Sequence, residues 1–497
     1  MGSEHVDIIV VGAGLSGIGA ACHLARRMPS RSVAILEARD RMGGTWDLFR
    51  YPGVRSDSDM YTLGYAFEPW THADSIASGS VILEYIAETA RKYGVDRRIR
   101  YRSKVVAARW STAQSLWTVE IEDPDTGHRS TMTCRFLYGC TGYYRYDHGY
   151  TPDIPGLGDF AGAVVHPQHW PTDLDVTGRR VVVVGSGATA VTLVPALAAK
   201  AGHVTMLQRS PTHILPMPAK DPIADRLRAG LPQPVAYGMV RWKNILWSQL
   251  SFQLSQRRPE GVRRFIRDQQ RPLLPHGFDF DTHLNPDYRP WDQRLCLAAD
   301  GDLFAAIREG RADIVTDTIT RVRDTGIELS SGRTLAADIV VLATGLTLLP
   351  MGGIRLHVDE ARVDLPERVA YKGAMLSGVP NFVFTVGYTN ASWTLKADLV
   401  ADYFCRLVRH MERNGYVMAL PVAPPADEPR SPIMELKAGY IRRSEGDLPS
   451  QGSRRPWRLR QNYPFDLVTL RYGRIQDEGL RLYRRAEVRP HALAETG

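Results

Sequence analysis

Two glycine-rich turns, each entered from a run of β-branched residues and followed by an alanine-rich helical stretch, predict an α/β chain of two Rossmann-like dinucleotide-binding domains. The first turn is Gly12-Ala13-Gly14-Leu15-Ser16-Gly17 after Ile8 to Val11, and the second is Gly185-Ser186-Gly187-Ala188-Thr189-Ala190 after Val181 to Val184. Between them and the C-terminus, a stretch rich in arginine, tryptophan and proline with helical spacing predicts a helical insert in the second domain. The expected boundaries are 1–145 and 346–497 for the first domain, 146–217 and 292–345 for the second, and 218–291 for the insert.

In the first turn Gly12 permits the sharp change of direction, Gly14 lets backbone approach a pyrophosphate, and Gly17 lets the helix pack closely. The helix N-terminus offers unpaired N–H groups to the anion, and Ser16 can add its hydroxyl. Glu37 ends the next strand, 25 positions past Gly12. A carboxylate there accepts hydrogen bonds from a ribose diol and repels a 2′-phosphate, so this site suits FAD or NAD and not NADP.

The second turn carries Ala190 in the third position, which still permits close packing. Arg209 lies 24 positions past Gly185, where the first fold has its glutamate, and Ser210 follows it. A guanidinium grips a 2′-phosphate through two bonds, so this fold should prefer NADPH. Two folds with opposite ribose signatures imply two nucleotides, bound FAD and exchangeable NADPH.

The linker ahead of the second turn reads Phe160-Ala-Gly162-Ala-Val-Val-His166-Pro-Gln-His-Trp170-Pro171. It fills every fixed position of F-x-G-x-x-x-H-x-x-x-W-P, and the chain thereby resembles the Baeyer-Villiger monooxygenases. The runs from Trp291 to Leu297 and Gly387 to Asp398 are similar to the ethionamide-activating subgroup of that family. With its prolines and anchoring aromatics the strip suits a hinge, with His166 and Trp170 as the hinge residues.

The resemblance implies an NADPH- and oxygen-dependent enzyme that converts ketones to esters or lactones through a peroxyflavin and oxidises sulfides or thioamides as well. By the same resemblance Gly44-Thr45-Trp46 lies along FAD, and Arg55-Ser56-Asp57 carries an acidic residue to the flavin edge. Val105 is placed by the adenine, Trp393 on the substrate-pocket wall, and Arg294 in the position of the catalytic arginine, which Asp57 would orient. Many relatives carry lysine just before that arginine, where this chain has Gln293, so one cation for the 2′-phosphate is missing. The alternatives are a flavin-dependent N- or S-hydroxylating monooxygenase and, from another class, a nucleotide-sensing binding protein.

In the insert, Val235, Met239, Trp242, Leu246, Leu250 and Leu254 recur at three or four residues and give one apolar stripe. The expected reading is a helix packed by that stripe on the nucleotide domain. A lid over an apolar substrate and a helix lying on a membrane surface, beside arginines 257, 258, 263 and 264, are the other two. The proline-rich stretch from Pro421 to Pro432 and the basic remainder suggest no chemistry.

The 497 residues give room for about three domains. The five scattered cysteines form no C-x-x-C pair, which argues for a reducing, cytoplasmic compartment and against a zinc site or a dithiol reductase. The polar first seven residues do not read as a signal peptide, and no apolar run is long enough to span a bilayer. A net charge of +8 comes with no nucleic-acid-binding motif and reads as attraction for phosphorylated cofactors, with adsorption to anionic membranes as an extra.

Overall fold

The computed structural model describes residues 3–293, 295–436 and 438–488. The strand Glu4–Val11 sits in the middle of the first sheet, parallel to Val33–Leu36 on one side and to Arg129–Gly139 on the other. Both of its faces are covered, which is why it reads as a continuous apolar run. Ile8 and Val10 join the helical layer of Leu15–Arg27 and Trp393–Asn414, while Ile9 and Val11 face the layer of Trp110 and Trp117.

Beyond Arg129–Gly139 the sheet divides. Its earlier residues continue antiparallel into Leu116–Glu122 and Lys104–Ser111, and its last three pair in parallel with Phe382–Phe384. A strand from late in the chain therefore completes the first fold.

The second sheet is parallel throughout, in the order Ala312–Thr316, His203–Gln208, Arg180–Val184, Ile339–Leu342 and Ala163–Val165. Its edge strand Ala163–Val165 comes from the linker itself. Gly162 is needed just before it, because a Cβ there would stand 2.2 Å from the Asp338 carbonyl oxygen. The linker is thus half sheet, and only the part from His166 onward bridges the two folds.

The insert is helical over Pro222–Gly230, Gln233–Arg257 and Pro259–Gln270. In sequence it interrupts the second fold, but in space it lies on both. Ala224, Tyr237, Val240 and Ile245 join the core of the first fold. Arg241 reaches into that core and donates to the carbonyls of Tyr61 at 2.7 Å and Gly64 at 2.8 Å. After the break at Arg258-Pro259, Gln270 donates to the Ile214 carbonyl at 2.6 Å, and Phe280 and Leu284 join the core of the second fold.

The expectation that the apolar stripe is the packed face is corrected by this arrangement. Val235, Met239, Trp242, Leu246, Leu250 and Leu254 are all exposed, and the buried face is the opposite one. Periodicity located the stripe, but an arginine with carbonyl partners on the other side decided which face went inward. Among the described residues no helix is long and apolar enough to cross a membrane.

Candidate active site

A cleft of about 1220 Å³ runs between the two folds and is lined by both glycine turns. On the first side the helix Leu15–Arg27 begins at Gly14 with no side-chain cap and no acid in its first turn, so its positive end faces the cleft. Gly12 needs its φ of +101°, and a Cβ there would stand 2.5 Å from the Cys140 carbonyl oxygen. Gly17 is not on the cleft wall; it lies beneath the turn, packed against the Gly12 carbonyl.

Glu37 is buried at the cleft's edge, accepting from Ala13 N at 2.8 Å on Oε2 and from Arg39 N at 3.0 Å on Oε1. Burial pushes its carboxyl above the usual range, and the two backbone donors oppose that shift. The remaining lone pairs are what a ribose diol would meet. Gly44, Thr45, Trp46 and Val105 line the same side.

Arg55, Ser56 and Asp57 also line the cleft, each with a different task. Arg55 forks onto Asp302, with Nη1 to Oδ2 at 2.5 Å and Nη2 to Oδ1 at 3.2 Å, and so ties the first fold to the second. Ser56 is buried and accepts from Ala77 N through its hydroxyl at 3.2 Å, which holds the loop in place. Asp59 caps the next helix by accepting from Thr62 N, and Asp57 lies on the cleft wall. Gly53, with a φ of +79°, allows this loop to close on the second fold, since a Cβ there would stand 2.5 Å from the Thr192 carbonyl oxygen.

On the second side Gly185, Ser186, Gly187, Ala188 and Thr189 line the cleft, while Ala190 is buried behind them. The helix Ala188–Ala198 starts at Gly187 without a side-chain cap. Ser186 Oγ lies 2.8 Å from Thr212 Oγ1 and donates to the Ser210 carbonyl at 3.1 Å, which fixes the rim of the turn. Arg209 and Ser210 are exposed on that rim, and Arg209 has no ion-pair partner among the described residues. Gln293, Cys296 and Leu297 reach the cleft; Arg294 lies outside the described residues.

Trp393 lines the cleft on the first fold's side. Its indole donates to Ser16 Oγ at 2.7 Å and its ring stacks on Tyr143, with centroids 5.0 Å apart. His166 clips together the two chains that cross between the folds. Its Nε2 lies 3.2 Å from the Gly345 carbonyl oxygen, and its Nδ1 accepts from Gln168 N at 3.2 Å, so the ring is neutral with the proton on Nε2. Burial holds its pKa below the ordinary 6.5. The neighbouring Gln168 side chain donates to the carbonyls of Arg145 and Tyr146, and Tyr150 N donates to Gly345 O. Trp170 is half-buried against the second fold's core.

The chain from 10 to 71 matches the NAD(P)-binding Rossmann-like domain, and 71 to 349 matches the flavin-binding monooxygenase-like family. It is 54% identical to the FAD-containing monooxygenase EthA of Mycobacterium tuberculosis, over 97% of this chain and 99% of that protein. The chain belongs to the flavin-binding monooxygenase-like family. The putative FAD-containing monooxygenase MymA of Mycobacterium tuberculosis is 48% identical over 99% of this chain and all of that one. Among solved structures, an oxidized steroid monooxygenase bound to NADP shares the fold with a TM-score of 0.74 at 22% identity, covering 97% of this chain and 100% of that one.

Several cleft residues of this family member carry no signal in a single sequence. Tyr144, Tyr146 and Tyr150 come from the crossing chain, and Ala438, Gly439, Tyr440 and Arg443 come from the C-terminal stretch that had suggested no chemistry. Arg443 lies over the Tyr150 ring, 3.5 Å from its centroid, and donates to the Leu346 carbonyl at 3.3 Å. Nothing local marks these positions: the last four lie some 290 residues beyond the crossing, and only the folded chain brings them beside it. Among the described residues no group of three or more His, Cys, Asp or Glu side chains is placed to hold a metal ion.

Proposed function

We propose that the chain is an FAD-containing, NADPH- and oxygen-dependent Baeyer-Villiger monooxygenase that converts ketones to esters or lactones and also oxidises sulfides or thioamides. The observation that carries this reading is one cleft with a buried carboxylate behind one glycine turn and, behind the other, a guanidinium with no ion-pair partner among the described residues. The residues suit both nucleotides: the glycine positions leave backbone open where a pyrophosphate would lie, and both helix ends there lack caps.

Gly12, Gly14, Ser16 and Glu37 would hold the adenosine and pyrophosphate of FAD, with Gly44, Thr45, Trp46 and Val105 along it. Gly185, Ser186, Gly187, Ala188 and Thr189 would hold the pyrophosphate of NADPH, and Arg209 with Ser210 its 2′-phosphate. A bound flavin supplies the transfer of electrons from nicotinamide to dioxygen, so that one oxygen atom enters the product and the other leaves as water.

The protein's own part is charge and shape. Arg294 is assigned the fixed positive charge that stabilises negative oxygen during attack on the carbonyl, because arginine stays protonated at any working pH. Asp57, on the cleft wall, is assigned the task of orienting it. Arg55 with Asp302, and the clip formed by His166 and Gln168, hold the two folds together on either side of the cleft. The cytoplasm, where the five unpaired cysteines stay reduced, is the location that fits.

Product analysis on linear, cyclic and aromatic ketones plus a sulfide tests the reading. Ester or lactone formation coupled to NADPH use is expected, and a protein that oxidises only nitrogen or sulfur would overturn the ketone assignment. Arg294→Ala is expected to keep its flavin and lose oxygenation; normal ester formation in that variant would refute the role given to the arginine.

A further inference from the structure

The helix Gln233–Arg257 presents a row of apolar side chains to solvent along its whole length. Val235, Met239, Trp242, Leu246, Leu250 and Leu254 are each between 42 and 56% exposed, and Trp247 beside them is 60% exposed. Soluble surfaces seldom carry so long a continuous apolar band. The band cannot be hidden by rolling the helix, because Tyr237, Val240 and Ile245 are locked in the core and Arg241 is held by two backbone carbonyls on the far side. Withdrawing that guanidinium would leave a buried charge and its acceptors unpaired.

The surroundings of the band are basic. The helix contains no acidic residue in 25 positions. Arg257, Arg258 and Arg264 are exposed at its C-terminal end, and Glu260, the first acid beyond it, is engaged by Arg263. Trp242 packs edge-on against Tyr463, with ring centroids 5.9 Å apart. Tyr463 opens the short helix Tyr463–Asp466, which runs directly into Leu467–Tyr472, and Arg471 and Tyr472 there are exposed. The patch thus continues onto the segment Leu467–Tyr472, where Val468 is also exposed.

We propose that this face docks on an anionic lipid bilayer, with the apolar row in the interfacial region and the arginines against lipid phosphates. An apolar stripe with tryptophans, on a helix that carries no acid and is followed by exposed arginines, has the composition of helices that lie in a membrane interface. A second copy of the chain is the competing occupant, and the exposed arginines gathered at one end of the band favour lipid phosphate over it. The same helix lends Phe252 and Gln253 to a second cavity of about 510 Å³, shared with Leu459, Arg460 and Phe465. Phe252 meets Trp291, three positions before Arg294, with centroids 6.1 Å apart. Docking therefore brings a cavity next to the return segment close to the bilayer, where apolar molecules concentrate.

The test is co-sedimentation of the full-length holoprotein with vesicles of phosphatidylcholine alone or mixed with phosphatidylglycerol, which reads binding without turnover. The wild type is expected to sediment with the mixed vesicles, with a partition that falls as salt rises. Leu246→Gln, Trp247→Gln and Leu250→Gln together should lower that partition about a hundredfold with an unchanged melting temperature. Arg257→Gln, Arg258→Gln and Arg264→Gln together should remove the preference for phosphatidylglycerol. Wild-type protein that stays in the supernatant with the mixed vesicles overturns the proposal. So does a wild-type dimer that the Leu246, Trp247 and Leu250 changes convert to monomer, because a second copy would then be what covers the face.

Discussion

Gly17→Ala measures how tightly the first glycine turn is built. An alanine Cβ at position 17 would stand 1.8 Å from the Gly12 carbonyl oxygen and 2.9 Å from its carbon. Carbon and oxygen do not approach so closely, so the turn must open by about 1 Å at the place where the pyrophosphate is to lie. Overpacking of that kind costs about 1–3 kcal/mol, offset by up to ~1 kcal/mol from the better helix propensity of alanine. A net loss of about 1–2 kcal/mol in urea unfolding is expected, with flavin content of the purified protein, read from its visible absorbance, falling about tenfold. The matched control is Ala190→Gly in the second fold, where the chain already accepts a Cβ; it should cost about 1 kcal/mol of stability and leave the flavin untouched. A Gly17→Ala protein that unfolds at the wild-type urea concentration with its flavin intact would refute the steric argument.

Arg209→Ala should raise KM for NADPH by about 10–100-fold with little change in kcat, because one charge-assisted grip on the 2′-phosphate is lost; KM for NADH should hardly move. Steady-state kinetics with both nucleotides decides it. His166 has a depressed pKa, so above 6.5 it is neutral in both folded and unfolded chains, and below 6.5 the unfolded chain takes up a proton that the folded one resists. Stability should therefore fall from about pH 6.5 downward, and His166→Gln, which does not titrate, should flatten that slope in melting curves; an unaltered slope would count against the assignment. Arg241→Met should cost about 3–5 kcal/mol in urea unfolding, since Tyr61 and Gly64 lose their buried donor; a cost below about 1 kcal/mol would show that the guanidinium is not what seats the helix.

What the sequence made legible was local. A glycine turn, the strand before it and the acid or base at the end of the next strand are fixed by short-range geometry, so Gly12, Glu37, Gly185 and Arg209 fall on the cleft or its rim. The facing of the insert was not legible, because spacing of three and four locates an apolar stripe without saying what covers it. Arg241, alone among the buried residues of that helix in carrying a charge, was the available sign, and it acquires its meaning only from carbonyls some 180 residues away. Arg55 shows the same limit: its partner Asp302 is 247 positions distant, so a residue expected to touch cofactor also serves as a tie between the folds. Tyr146, Tyr150 and Arg443 reach the cleft through crossings and returns that no motif announces.

The insert that straddles both folds restricts how the enzyme can breathe. Its long helix is seated on one half and its next helix on the other, with only the break at Arg258-Pro259 between them. The crossing chains gathered at His166 make a second joint. With the Arg55–Asp302 pair these contacts tie the halves at three places, so a swing of one half about the insert and the linker has first to part that ion pair.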